Sequence, residues 1–583
     1  MNYALNKSKS TADTKRGFAK LLPLLKQDRS RIALAVVAIL LNAGINLTGP
    51  ILVGYAIDHH VQSGDYAGIL QIAGILVALY AVAFVAATVQ TRVMGAVAQR
   101  LLFNLRNSIF EKLQELPLAF FNQNKAGDLI SRINNDTDKL NQFFSQSLMQ
   151  FIGSIFMIIG AGIFLLSVNL RLGAAVLAPA LSILLFTQLS SAWIRRKNLQ
   201  SLQAGGGMSA EIQESLDNFK VIVAFNRRDY FREKFMEANE SNFKNAITAG
   251  YANFILAPVY GLCSNIAQLI TLAYGIHLIL IGDFTLGLLI STFTYATHFY
   301  DPLRHLAALW ASFQTAMAGW DRISDILHMK SNLPVLATTT AANAAAILEF
   351  DGVHFGYPDG KEVLHKISFQ LEKAKTYALV GPTGGGKTTT ASLMARLYDP
   401  TNGKVLLNGK DIRSYDSAER TQKIGFILQD PFLFTGTVLE NILYGNDAMK
   451  KLTAPELSAE LDKAKLSTLL HRFENGLDTK VTSNSDSMSL GQKQLIAFMR
   501  AVLRQPELLI LDEATANIDT VTEQLLEEIL KNLPKETTRV IIAHRLNTIK
   551  NADEIFFVNA GEITRAGSFD HAVDMLLHGK RES

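Results

Sequence analysis

The most chemically specific segment of the sequence is Gly381–Thr388, which reads Gly-Pro-Thr-Gly-Gly-Gly-Lys-Thr. It matches the phosphate-binding loop, in which glycines let successive backbone N–H groups turn around phosphate oxygens. Lys387 is then positioned to reach the β- and γ-phosphates of a nucleotide, and the Thr388 hydroxyl to ligate Mg²⁺. The apolar run Tyr377–Val380 supplies the preceding strand that the pattern requires. We assign nucleotide binding to Gly381, Pro382, Thr383, Gly384, Gly385, Gly386, Lys387, Thr388 and Thr389.

A second apolar run, Leu508–Leu511, ends in two adjacent carboxylates, Asp512 and Glu513. Asp512 suits a Mg²⁺ ligand, bound directly or through a water molecule. Glu513 suits the general base that polarises an attacking water. An acidic strand end is common by itself, but downstream of a phosphate loop it predicts hydrolysis of the bound nucleotide.

The elements around these motifs indicate an α/β domain over residues 347–583. Short apolar runs alternate with helical stretches, which is the pattern of a mainly parallel sheet covered by helices. The segment Ser331–Ala346 is rich in Ala, Thr and Asn and predicts a linker before that domain. The predicted strands are Ile347–Phe350, Tyr377–Val380, Lys404–Leu407, Ile424–Leu428, Leu508–Leu511 and Val540–Ile542.

The first half of the chain, residues 31–330, predicts a helical transmembrane domain. Its apolar runs reach the roughly 20 residues that a helix needs to cross a bilayer. The sixth continues as a mixed helix through Tyr300 to Ala318. The six predicted spans are Ile32–Ile57, Ile69–Val93, Phe144–Val168, Leu172–Leu189, Tyr251–Ile281 and Phe284–Ala296.

Charge placement predicts the orientation of these spans. The links Asp58–Gly68 and Gly282–Asp283 carry no Lys or Arg, whereas the long segments between other spans are rich in both, so both termini are expected in the cytoplasm. The net charge of +4 is too small to favour a nucleic-acid partner. Residues 1–30 are polar and basic, without the pattern of a cleaved signal. Within them, Phe18–Leu25 predicts an interfacial elbow helix.

Two long cytoplasmic segments, Met94–Phe143 and Arg195–Lys244, are predicted to be helices that extend below the membrane and turn at their tips. The candidate tips are Phe120–Asn122 and Phe219–Asn226. Aromatic residues at an exposed tip favour docking onto another domain, and ordinary packing within a helical hairpin is the alternative. The only cysteine, Cys263, excludes an internal disulfide and a cysteine-ligated metal site.

With these motifs in this order, residues 347–570 resemble the nucleotide-binding domain of ABC transporters. The first half resembles the exporter branch of that family, with six helices per subunit. The resemblance rests on Phe120–Asp136 and Val221–Arg227 in the two cytoplasmic segments and on Pro431–Ile442 after Gln429. It covers the chain from about residue 17 to 570.

The resemblance implies roles that the residue types alone do not. Tyr357 is expected to stack on adenine, Gln429 to contact Mg²⁺ and the attacking water, and His544 to hold the γ-phosphate. The family's signature sequence corresponds to Met488–Gln492, whose Ser489, Gly491 and Gln492 are expected to meet the nucleotide of the opposite subunit. Asp519 is expected to contact that subunit as well.

Two departures from the family pattern concern the contacts between subunits. Leu490 replaces the first glycine of the signature, a position at which functional relatives also vary. Val481–Ser485 lacks the acidic residue that exporters generally carry there. These departures leave two partners open: a second copy of the chain, which the otherwise complete catalytic set favours, or a related half-transporter in a heterodimer.

The predicted function is therefore ATP-driven export of an amphipathic or hydrophobic drug, lipid or peptide by alternating access, in a bacterial plasma membrane, with ATP and Mg²⁺ as cofactors. An ATP-gated regulator or channel is the alternative class. The bilayer, but no nucleic acid, is a further expected partner. The resemblance implies a coupling role for Phe120, Phe121, Asn122, Phe225 and Asn226. Polar residues of the last two spans are either substrate contacts or ordinary interfacial groups: His277, His298, Asp301, Arg304 and His305.

Overall fold

The structure is a computed structural model. It describes residues 3–5, 26–330, 333, 335–336, 346–357, 360–482, 488–512, 520–542, 550–567 and 569–578. The predicted elbow helix, Glu513, Asp519 and His544 lie outside these ranges. The chain divides into two compact units. The helical unit comprises the described residues of Asn6–Leu113 and Gly127–His328, and the nucleotide unit those of Met1–Leu5, Gln114–Ala126 and Met329–Ser583.

The first half of the chain is helical among the described residues. Three π turns are present among the described residues: Ile57–Val61 extends the first helix at its C-terminal end, and Arg132–Asp136 and Phe143–Ser147 join consecutive helical stretches. The helices are α1 (Arg29–Ala56), α2 (Tyr66–Glu115), α3 (Leu118–Gln123), α4 (Ala126–Ser131), α5 (Thr137–Gln142), α6 (Leu148–Val168), α7 (Leu170–Asp217), α8 (Phe219–Ala224), α9 (Arg228–Phe254), α10 (Leu256–Leu280) and α11 (Leu286–Leu327).

Five of the predicted spans fall on helices that are long and apolar enough to cross a membrane: Arg29–Val61, Tyr66–Glu115, Ala126–Val168, Leu170–Asp217 and Arg228–Leu280. The sixth predicted span falls on α11, which is not among these five. Polar side chains such as His298 and Asp301 lower its mean hydropathy.

Side-chain caps fix where two of the long helices begin. Asn169 accepts a hydrogen bond from the Leu172 N–H at 3.0 Å at the start of α7, and Thr285 accepts one from the Leu288 N–H at 3.2 Å at the start of α11. Asp58 adds a second acceptor for α11, 2.7 Å from the Gly287 nitrogen. These contacts satisfy N–H groups that have no partner within the helix.

Both long segments continue the helices that carry predicted spans, and both turn at the predicted tips. Helix α2 continues to Glu115, and the short helix α3 forms the tip before α4 returns. In the second segment, α7 continues to Asp217 and α8 forms the tip before α9. We call α3 the first tip and α8, with Phe225 and Asn226, the second tip. The first tip belongs to the nucleotide unit, and the second to the helical unit.

The nucleotide unit contains a six-stranded sheet of order β12-β11-β3-β10-β9-β6, in which only β12 is antiparallel to its neighbour. A second sheet, β2-β1-β4-β5, is antiparallel. The strands are β1 (Ala346–Gly356), β2 (Glu362–Glu372), β3 (Thr376–Val380), β4 (Asn402–Leu407), β5 (Lys410–Asp411), β6 (Ile424–Ile427), β7 (Gly436–Thr437), β8 (Lys480–Val481), β9 (Leu508–Asp512), β10 (Thr538–Ile542), β11 (Glu554–Asn559) and β12 (Glu562–Arg565).

All six predicted strands are present, but two of them, β1 and β4, lie in the antiparallel sheet and not in the parallel one. Buried apolar residues of β9 and β10 place the parallel sheet inside the unit. The helices of this unit that follow α3 are α12 (Lys387–Met394), α13 (Ser417–Lys423), α14 (Val438–Leu443), α15 (Ala454–Lys463), α16 (Leu490–Val502), α17 (Thr520–Asn532) and α18 (Phe569–His578).

Candidate nucleotide site

The phosphate loop occupies the turn between β3 and α12, as the sequence predicted. Gly381, Gly384 and Gly386 have φ angles of 146°, 81° and 114°, a backbone region that side chains with a Cβ rarely adopt. A Cβ on Gly381 would also lie 2.0 Å from the carbonyl oxygen of Val558 on β11. Glycine at this position therefore lets the loop pass close to the neighbouring strand.

Lys387 is the first residue of α12, and its side chain folds back over the loop. Its Nζ donates to the carbonyl oxygens of Gly381 at 2.8 Å and Pro382 at 3.0 Å. Lys387 is buried, and its ammonium thus lies against the loop at the start of the helix, where the helix dipole is positive. This arrangement suits the binding of a polyanion such as a nucleotide phosphate chain.

Asp512 comes to the same place from the end of β9. Strand β10 lies between β3 and β9, and parallel pairing brings the carboxyl ends of all three strands to one edge. The Thr388 hydroxyl donates to Asp512 Oδ1 at 3.3 Å. The hydroxyl and the buried carboxylate are hard oxygen donors, so the pair fits Mg²⁺, which is usually held by one or two carboxylates together with substrate phosphates.

An aromatic cluster lies next to the loop. The Tyr357 hydroxyl is 3.2 Å from the Thr389 hydroxyl, and its ring meets that of Tyr398 edge-on, with centroids 5.4 Å apart. Phe355 contacts both rings. The Tyr357 hydroxyl thus contacts the helix that follows the phosphate loop. The sequence did not predict that Tyr398 belongs to this aromatic cluster, because no motif spacing links it to Tyr357.

The signature residues form the start of α16. Ser489 is the N-cap: its hydroxyl accepts from the Gln492 N–H at 3.2 Å, and Gln492 Oε1 accepts from the Ser489 N–H at 3.0 Å. The Gln492 amide also donates to the Arg472 carbonyl at 2.7 Å. Leu490 is the first helical residue and Gly491 the second, so replacing glycine with leucine leaves the capping box intact.

Gln429 is exposed and follows β6. The chain after it borders a cavity of about 230 Å³, which we call the aromatic groove and which is lined by Phe432, Phe434, Tyr444, Arg500 and Arg504, among other residues. Arg500 donates to the carbonyl oxygens of Asn441 at 2.8 Å and Phe432 at 3.2 Å, which fixes the groove wall. Burial lowers the pKa of Arg500.

The first tip is attached within the nucleotide unit. Phe120 is fully buried, and the Asn122 amide donates to the Tyr398 hydroxyl at 2.6 Å. Burial raises the pKa of Tyr398, the same residue that contacts the Tyr357 ring. The second tip differs, because Phe219 and Phe225 are exposed.

The polar residues predicted in the last spans lie on two helices. His277 belongs to α10, whereas His298, Asp301, Arg304 and His305 follow one another along α11. Only His298 is half-buried, and the other four are exposed. Within the described residues, no three His, Cys, Asp or Glu side chains are grouped so that they could hold a metal ion.

Comparison with known proteins identifies the family of the chain. Residues 32–303 match the model of the ABC transporter transmembrane region, and residues 364–516 match the ABC transporter model. The chain is an ABC transporter. It is an exporter-type half-transporter, in which a helical membrane domain precedes an α/β nucleotide-binding domain and ATP hydrolysis is coupled to transport.

Three relatives span most of this ABC transporter. It is 33% identical to the uncharacterized ABC transporter ATP-binding protein YfiC of Bacillus subtilis, over 96% of this chain and 92% of the relative. It is 31% identical to a fatty acid ABC transporter ATP-binding/permease protein of Mycobacterium tuberculosis, over 87% and 80%. It is 29% identical to a multidrug resistance ABC transporter ATP-binding and permease protein of Lactococcus lactis, over 95% and 93%. At the family level, these relatives support ATP-driven export.

Proposed function

We propose that this ABC transporter works as a homodimer that exports an amphipathic or hydrophobic molecule by alternating access. The observation that carries the proposal is the unequal exposure of the two tips. The first tip is buried against its own nucleotide unit, whereas Phe225 in the second tip is 75% exposed. The exposed aromatic side chains of the second tip and the aromatic groove are chemically complementary. In a homodimer, the second tip of each copy would contact the aromatic groove of the other copy.

The nucleotide chemistry would follow from the residues already described. Tyr357 would stack on adenine, while the phosphate loop and Lys387 would hold the phosphates. Thr388, Asp512 and Gln429 would hold Mg²⁺, which when bound neutralises charge on the β- and γ-phosphate oxygens. Glu513 would polarise the attacking water, and His544 would contact the γ-phosphate.

The partner copy would complete each nucleotide site through Ser489, Gly491, Gln492 and Asp519. The capping box of Ser489 and Gln492 supports a working signature, because its N-terminal N–H groups and hydroxyl keep the arrangement that binds anions. Leu490 occupies a helical position that any residue can adopt, so it leaves this geometry unchanged. A heterodimer is the second candidate, which the departures at Leu490 and Val481–Ser485 favour.

The substrate class and the membrane are also proposals. The names of two relatives refer to fatty acids and to multidrug resistance, and both fit a molecule with a large apolar part. A bacterial plasma membrane with both termini in the cytoplasm accords with the distribution of Lys and Arg and with the bacterial relatives.

The deciding experiment measures ATP hydrolysis by the purified chain alone in nanodiscs. We expect steady turnover from a particle of two chains, and a loss of at least about a hundredfold in Glu513→Gln, because the attacking water loses its base. Glu507→Gln, at the opposite end of β9, is the matched control and should keep the turnover. Inactivity of the lone chain, restored by a second half-transporter, would replace the homodimer with the heterodimer.

A further inference from the structure

The helical unit holds a cluster of charged side chains that the nucleotide cycle described above does not use. It joins α11 to the helix that returns from the first tip, Ala126–Val168, which we call the return arm. The arm comprises α4, α5 and α6 with the π turns between them. The cluster, which we call the arm cluster, consists of Asp128, Arg132, Asp136 and Lys139 of the arm and Arg322 of α11.

The arm cluster is a continuous set of ion pairs. Arg322 contacts two carboxylates of the arm, Asp128 at 2.6 Å and Asp136 at 3.2 Å. Arg132 pairs with Asp128, which also belongs to the arm, at 3.0 Å. Arg132 also donates to the backbone carbonyl oxygen of Arg322 on α11 at 2.6 Å. Lys139 completes the set, 2.9 Å from Asp136. Each helix therefore both donates to and accepts from the other.

The burial of two members of the arm cluster makes their ion pairs costly to break. Asp136 is fully buried and Arg132 is 2% exposed. Removing one partner of such a pair leaves an uncompensated charge, whereas apolar residues could have supplied the same packing without that risk. A buried arginine fork is instead suited to fixing one relative position of two helices, because its donors match carboxylates in a defined geometry.

The contact continues along both helices beyond the arm cluster. The hydroxyls of Ser147 and Ser312 are 2.8 Å apart, and the rings of Phe143 and Phe313 are 5.4 Å apart. Further along, Phe164 of the arm stacks on Tyr295 of α11 at 3.8 Å. The arm and α11 therefore touch at three separate levels.

The two π turns of the arm coincide with these contacts. One runs from Arg132 to Asp136 and the other from Phe143 to Ser147, and all four terminal residues contact α11. A π turn adds one residue to a helical turn and is found frequently at functional sites. The two ends of each turn are four residues apart, a spacing that places both on the same side of the helix, here the side that contacts α11.

We propose that the return arm and α11 move as one rigid strut, and that the arm cluster transmits displacement of the first tip to α11. The chain leads directly from α3 into the arm, so any movement of the tip reaches the arm covalently. Asp136 and Arg322 are positioning residues in this proposal, since they act through the helices they hold. The inference rests on the proposed ATP-driven cycle and adds the route through which the membrane helices respond.

The test removes the buried carboxylate of Asp136 and then links the return arm to α11 by a disulfide. Asp136→Asn removes the buried charge at nearly constant volume. Ser147→Cys with Ser312→Cys permits a disulfide between the same two helices and leaves the arm cluster intact. Both are made in a Cys263→Ser background, which has no other cysteine. Asp138→Asn is the matched control, because Asp138 of the same arm makes a surface pair with Arg106 of α2 and is 58% exposed.

Amide hydrogen exchange measures the response of α12 in the nucleotide unit and of α11 in the helical unit, and it requires no known transport substrate. It is measured with and without Mg²⁺ and a non-hydrolysable ATP analogue. We expect the analogue to protect α12 in every variant and, in the parent protein, to change exchange near Leu286–Ala296 of α11 by about tenfold. In Asp136→Asn the change at α11 should fall below about twofold, and oxidation of the cysteine pair in that variant should restore it. Asp138→Asn should behave like the parent.

Three results would each contradict the strut proposal. The first is an exchange change at α11 in Asp136→Asn as large as in the parent, and the second is no change at α11 in a parent protein whose α12 is protected. The third is a loss of ATP hydrolysis when the cysteine pair is oxidised in a protein that retains Asp136. The measurement of ATP hydrolysis with the oxidised cysteine pair retains Asp136, so it tests the proposal even if Asp136→Asn does not fold. A parent protein that hydrolyses no ATP and shows no protection of α12 would instead contradict the proposed function.

Discussion

The two tips both carry aromatic residues, but these residues have different environments. In the first tip, Phe120 is fully buried and Asn122 is hydrogen-bonded to Tyr398. The residues just after Asn122 are also engaged: Gln123 accepts from the Tyr3 N–H at 2.8 Å, and Asn124 accepts from the Leu5 N–H at 3.0 Å. The first tip is thus held by its own chain on two sides.

The second tip, as far as the structure describes the chain, leaves its aromatic side chains exposed. Ile222 is buried within the helical unit, but Phe219 and Phe225 on either side of it are exposed. Aromatic side chains of this size are costly to leave in water, because their burial contributes substantially to stability. Within the described residues, the chain buries an aromatic ring of only one of its two tips. Under the homodimer proposal, the second copy covers the other tip.

The largest effect is expected from truncating the buried aromatic. Phe120→Ala should destabilise the nucleotide unit by about 3–5 kcal/mol, because it removes a fully buried ring and leaves a cavity. Denaturant unfolding followed by the fluorescence of a bound nucleotide analogue measures it, because the three tryptophans of the chain all lie in the helical unit. Phe121→Ala, at an exposed neighbour, serves as the control and should cost less than about 1 kcal/mol. Equal losses in the two variants would contradict the asymmetry within the first tip.

Truncating Phe225, the exposed aromatic of the second tip, should lower ATP turnover and leave the stability unchanged. Phe225→Ala should leave stability within about 0.5 kcal/mol. It should nevertheless lower ATP turnover about tenfold, since it removes a docking contact that would otherwise be buried between subunits. Phe243→Ala, an exposed phenylalanine of α9, is the control and should change neither quantity. A stable Phe225→Ala protein with undiminished turnover would contradict the docking proposal.

A cross-link sharpens the same comparison. In the Cys263→Ser background, Phe225→Cys with Tyr444→Cys should give a disulfide-linked dimer on mild oxidation, because the second tip and the aromatic groove would come from different chains. Each single-cysteine variant is the control. A linked monomer would mean that the second tip docks on its own chain and not on a partner.

The smallest effect concerns the hydrogen bond of the first tip. Asn122→Ala and Tyr398→Phe should each cost about 1 kcal/mol, and the double variant should cost less than their sum, because they share one bond. The nucleotide analogue's affinity, measured in the same variants, tests whether the tip influences the adenine side through the Tyr398 and Tyr357 rings. Strict additivity would show that the two residues do not interact.

Much of the nucleotide site follows from local patterns in the sequence. The phosphate loop, the acidic end of β9 and the capping residues of the signature have fixed spacings, because each depends on local backbone geometry. The six predicted strands also lie where apolar runs predicted them. The antiparallel position of β1 and β4 was missed, since a short apolar run does not indicate which strand it pairs with.

The remaining observations depend on residues that are far apart in the chain. Sequence alone indicated a membrane-embedded half, a nucleotide-binding half and two aromatic tips, because periodicity and motif spacing are properties of neighbouring residues. Only the tertiary structure distinguished the tips, connected Asn122 to Tyr398 across 276 positions, and brought Arg322 to Asp136. The physical reason is that burial and ion pairing are decided by which surfaces meet, and a single sequence does not record which surfaces meet.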